Sequence, residues 1–162
     1  GFKARIGFFS EWAVWQLAVP GGQRSVRACI VFDGRRDGWE DGFNIWDDAF
    51  GAADAAARAT MLADLERRAA GLLAFWRRCR EHPQWYFPAA SWAALGGDAR
   101  AVRATWCGSD HAVGERDYAP GYARVLAGER DFGEGRDYVL LRANAAHLRA
   151  LIDLAATPER TA

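Results

Sequence analysis

The chain has 162 residues, 51% of them apolar, with 21 basic and 21 acidic side chains and a formal net charge of zero at pH 7. That length and apolar fraction suit a full hydrophobic core and exclude a disordered body. Balanced charge removes the long-range attraction on which nucleic-acid and anionic-membrane binders rely, so neither partner is expected.

All but one of the basic residues are arginine, and alanine is abundant. Such usage reads as a GC-rich bacterial genome rather than a selected arginine chemistry. Cys29, Cys79 and Cys107 are odd in number and widely spread, with no CxxC pair. They do not suggest a secreted disulfide framework, and a reducing cytoplasm is the expectation. No apolar run approaches the ~18 residues that span a bilayer.

From the N-terminus, Phe8–Val19 ("FFSEWAVWQLAV") has apolar residues on both alternating faces and predicts a central strand. Pro20-Gly21-Gly22 suits a type II turn, and "RSVRACIVF" then places Val26, Ala28, Ile30 and Phe32 on one face. The pair predicts a β-hairpin. Asp33–Asp54 is acidic and punctuated by glycine. Ala55 to about Glu81 is the clearest helix, with Leu62, Leu65, Ala69, Leu72, Trp76 and Cys79 recurring every three or four residues. Asp54 is placed to cap its start, and His82-Pro83 to end it.

A short helix is predicted at "SWAALGG", with Ser91 as N-cap and Gly96-Gly97 as the stop. Ala99–Trp106 reads equally as helix or strand. "DYVLLRA" reads as a short strand, and Asn144 as the cap of a last helix that turns Leu148, Leu151, Ile152 and Ala155 inward. No linker divides the chain. The reading is one α+β domain over residues 1–156 with a frayed tail at 157–162. It comprises an antiparallel sheet, from the N-terminal hairpin and a C-terminal strand, with a long central helix and a C-terminal helix packed on it.

Gly114–Leu141 nearly repeats itself: Gly114–Ala127 and Gly128–Leu141 share Gly, Glu, Arg, Asp, a following aromatic (Tyr118, Phe132) and a Val-Leu pair. Two copies of fourteen residues are too few for a solenoid. Asp117 and Asp131 read as caps or turn residues, each with its aromatic neighbour inserted into the core.

Two segments invite a chemical reading. "TWCGSDHAVGE" gathers Cys107, Asp110 and His111 in one loop, residue types that serve thiol catalysis or metal ligation. A buried small cysteine in a turn is the plainer reading, and no cofactor or metal is expected. Phosphate-binding, metalloprotease and hydrolase signatures are absent from the sequence. "DGWEDGFNIWDDAFG" spaces Trp39, Phe43, Trp46 and Phe50 by four, three and four, with Glu40, Asp41, Asp47 and Asp48 between them. Large aromatics ringed by charge make interface anchors, or else seal a core.

The functional expectation is therefore a small bacterial module that binds one protein partner without catalysis, such as a toxin-neutralising immunity protein or an adaptor. Its contacts are Trp39, Glu40, Asp41, Phe43, Trp46, Asp47 and Asp48, with Trp39 as anchor. The alternatives are a small enzyme using Cys107, Asp110 and His111 or an acidic metal site, and a Trp-lined small-ligand binder.

Overall fold

The computed structural model describes residues 2–19, 39–118, 121–122, 132 and 134–154. Seven helices have their bounds among these residues: α1 (Phe2–Ala18), α2 (Trp39–Ala52), α3 (Ala55–Glu81), α4 (Pro88–Leu95), α5 (Ala99–Cys107), α6 (Glu115–Tyr118) and α7 (Gly135–Ile152). One hairpin, β1 (Gly108–Ser109) with β2 (Ala112–Val113), pairs antiparallel with Ser109 opposite Ala112. The described chain is mostly helical, which overturns the α+β expectation. The turn and second strand of the expected hairpin, residues 20–32, and the tail at 157–162 lie outside the described residues.

Two segments expected as strands are helical. All of "FFSEWAVWQLAV" but its final Val19 lies in α1, where Phe2, Arg5, Phe9, Trp12 and Ala13 are buried. Those residues recur at three, four, three and one, the period of a helix face. A segment apolar on all sides satisfies the strand template as well as the helix template, and only its burial pattern separates them. "DYVLL" lies in α7, where Leu141, Ala145, Leu148, Leu151 and Ile152 form one buried stripe. Asn144 is therefore inside that helix, and its Nδ2 donates to the Trp85 carbonyl at 3.0 Å.

The long helix α3 has the bounds its sequence predicts, and Asp54 caps it by accepting from Ala57 N at 2.8 Å. Its inner face is rotated from the expected one. Leu65, Arg68 and Phe75 are buried, whereas Trp76 and Cys79 are exposed. Either neighbouring position fits a spacing of three and four, so the packing partner makes the choice.

Helix α4 begins three residues before its expected N-cap, with Phe87 as cap residue and Pro88 in the first turn. Proline suits that position because its missing N–H would be unsatisfied there anyway. Ser91 is buried inside the helix, and its Oγ accepts from Phe87 N at 3.1 Å. Ala99–Trp106 belongs to helix α5, capped by Asp98, whose carboxylate accepts from Arg100 N at 2.9 Å.

The chain divides into two compact units, one of residues 1–6 and 74–149, the other of residues 7–73 and 150–162. In the first, Phe87, Ala90, Ala94, Val102, Trp106, Phe132 and Leu141 make the core. Phe132, the aromatic of the second repeat copy, is fully buried there, and the ring of Phe87 lies 4.5 Å from that of Trp106. In the second, Trp12 of α1 meets Phe43 and Trp46 of α2 edge to face, at 5.0 and 5.1 Å. Trp46 in turn stacks on Phe50 at 4.9 Å.

Candidate functional site

Helix α2 is the segment that the sequence singles out, and side chains of its neighbours hold it. Gln16 Nε2 of α1 donates to Asp47 Oδ1 at 3.2 Å. At the other end Arg58 donates to the carbonyls of Phe50 and Gly51, both at 3.0 Å. The last carbonyls of a helix have no partner of their own, so this guanidinium fixes the end of α2 while its charge opposes the helix dipole.

The aromatic stripe faces inward. Phe43, Trp46 and Phe50 are all buried, with Trp46 at 9% exposure. Phe43 and Trp46, offered by the sequence as contact residues, are thus core residues of the second unit. Asp47 is half-buried and Asp48 is exposed. Trp39, Glu40 and Asp41 form the first turn of α2, and their side chains lie outside the described set. The outward face carries a residue the sequence reading missed: Ile45, 58% exposed, one turn before Asp48. Its signal was available, since Ile45 falls midway between aromatics that share the opposite face.

Cys107, Asp110 and His111 fall on different elements. Cys107 ends α5 and packs against the core of the first unit, whereas Asp110 and His111 form the exposed tip of the β1–β2 hairpin. No group of three or more potential metal ligands occurs among the described residues.

Two other groups with nucleophilic atoms are pushed toward their neutral forms. Burial raises the Tyr86 phenol far above its usual value, with the Glu115 charge adding to the effect. Partial burial raises the Cys79 thiol too, outweighing the Arg78 charge that lowers it. Nucleophilic catalysis needs the opposite shift, because the thiolate or phenolate is the reactive form.

Glu115 is a buried carboxylate of the first unit, at 4% exposure. It accepts from Ala89 N at 3.1 Å and Ala90 N at 2.8 Å, so it caps the start of α4 from 25 residues away. Both oxygens are engaged with backbone, which accounts for a charged group in an apolar setting.

No helix among the described residues is long and apolar enough to cross a membrane. Comparison with known proteins gives no match to a family model, a curated protein or a solved structure.

Proposed function

We propose that the protein is a binding module that works by surface contact with one protein partner, in the manner of an adaptor or a toxin-neutralising immunity protein. The observation that carries this reading is the division of labour on α2. Its aromatic face is committed to the core, which leaves Ile45 and Asp48 exposed on the other side of the helix. An exposed aliphatic beside carboxylates combines an apolar contact with charges that orient the encounter. The scattered Cys107, Asp110 and His111, together with the neutral-shifted Cys79 and Tyr86, support contact over catalysis.

Ile45 is the proposed anchor, and Trp39, one turn before Phe43, is the second candidate. The test compares wild type with Ile45→Arg and Asp48→Arg in capture from native lysate, followed by hydrogen exchange on the complex. Both variants should fold normally and lose the captured protein, and protection across residues 41–52 should rise on binding. Equal capture by all three proteins, with no change in that protection, would sink the proposal.

A further inference from the structure

Trp76 is 52% exposed, on a helix whose inner face is already supplied by Leu65, Arg68 and Phe75. Arg80, one turn later, holds its guanidinium over the Trp76 indole, 5.1 Å from the ring centroid. Arg77 is exposed beside them, and residues 73–80 contain no acid. A tryptophan with a stacked arginine is well suited to recognition. The indole offers a large contact area with few torsions to freeze, and stacking pre-orders the donors of the guanidinium. The charge of this face selects an acidic counterpart.

The same chain displays such a counterpart. Helix α2 has four acidic residues in its sequence and no basic one; Asp47 is half-buried and accepts from Gln16, while Ile45 and Asp48 are exposed. With 21 basic and 21 acidic side chains, two copies have no net repulsion to overcome at neutral pH. We infer that the Trp76–Arg77–Arg80 face of α3 in one copy docks on the Ile45–Asp48 face of α2 in a second copy. The indole packs on the isoleucine, and the guanidinium groups meet the exposed Asp48 carboxylate. A polyanion is the less favoured occupant. The arginine run is short and adjoins Glu81, and a chain of zero net charge lacks the field that draws nucleic acid in.

This inference rests on the reading that the outer face of α2 is a contact surface, and the experiment separates the two. Sedimentation velocity of the full chain over a wide concentration range should show reversible self-association that weakens in high salt. Trp76→Ala should weaken it about thirtyfold, the scale of an interface anchor. The Arg77→Glu/Arg80→Glu variant and the Asp48→Arg variant should each be monomeric alone. Mixed, they should associate, because each supplies the face the other lacks.

A wild type that stays monomeric overturns the inference while leaving the lysate test of α2 in force. Charge variants that associate as wild type does, or a mixture that stays monomeric, also overturn it. So would a monomeric wild type that binds a random-sequence oligonucleotide through Arg77 and Arg80. Should circular dichroism find a charge variant unfolded, the Trp76→Ala response and the salt titration decide.

Discussion

Single side chains join distant segments at several places in this molecule. Glu115 is the clearest, since it satisfies two backbone donors of α4 that have no other acceptor. Glu115→Ala should lower stability by about 3 kcal/mol in urea unfolding, because it strands buried N–H groups. Glu115→Gln keeps an acceptor and should lose only about 1 kcal/mol, the value of the charge at a helix start.

Arg68 does comparable work at the far end of α7. It donates to the carbonyls of Ala150 at 2.8 Å and Asp153 at 3.1 Å, while its Nε donates to Asp64 at 2.7 Å. Partial burial raises the Asp64 carboxyl, but the hydrogen bonds and charges of Arg68 and Arg67 outweigh it, and the net shift is downward. A folded value below the unfolded one gives stability that is fully present above the usual carboxylate range and is lost as pH falls through the folded value. Asp64→Asn should therefore be less stable than wild type at neutral pH, and the gap should close in acid. A gap that is constant with pH, in urea titrations across the acid range, would contradict the assignment. Cys79, though exposed, should react with iodoacetamide more slowly than free cysteine at neutral pH, because its thiol is shifted up.

Among the elements, α2 and α3 show how helices sort their faces. Trp46→Ala should cost about 3–5 kcal/mol, since the ring lies between Trp12 and Phe50 and its loss leaves a cavity. Normal stability with lost binding would return Trp46 to the contact surface. Gly71 tests the packing of α3 on α7, because an added Cβ would sit 2.9 Å from Leu151 Cδ2. Alanine gains about 1 kcal/mol of helix propensity over glycine and must displace one methyl, so Gly71→Ala should be near neutral. Gly71→Val should destabilise by about 1–3 kcal/mol through overpacking. Gly114, the first residue of the repeat, has no such latitude. A Cβ there would run into the backbone of Trp106 and Cys107, which cannot rotate away.

Across the whole molecule, charge is balanced in total and uneven in place. The formal pI is about 7.0. Attraction between copies should peak near pH 7 and fall on either side as net charge develops. Static light scattering against pH measures this directly. A response that Arg77→Glu/Arg80→Glu leaves untouched would assign the attraction to net charge alone rather than to the two helix faces.

Local chemistry sufficed for α3. An aspartate cap, a period of three and four, and a His-Pro stop determine a helix without reference to anything else in the chain. The same locality placed Phe132 in a core and set Phe43, Trp46 and Phe50 of α2 on one face. Tertiary structure alone decided the secondary structure of Phe8–Ala18 and of "DYVLL", because a segment apolar on all sides pays no local penalty for either backbone. It also decided that Trp46 is buried while Trp76 is not, although both lie on helices at positions that fit an inward stripe. Periodicity fixes which residues share a face, but burial depends on what another segment brings against that face. No single stretch of sequence carries that information.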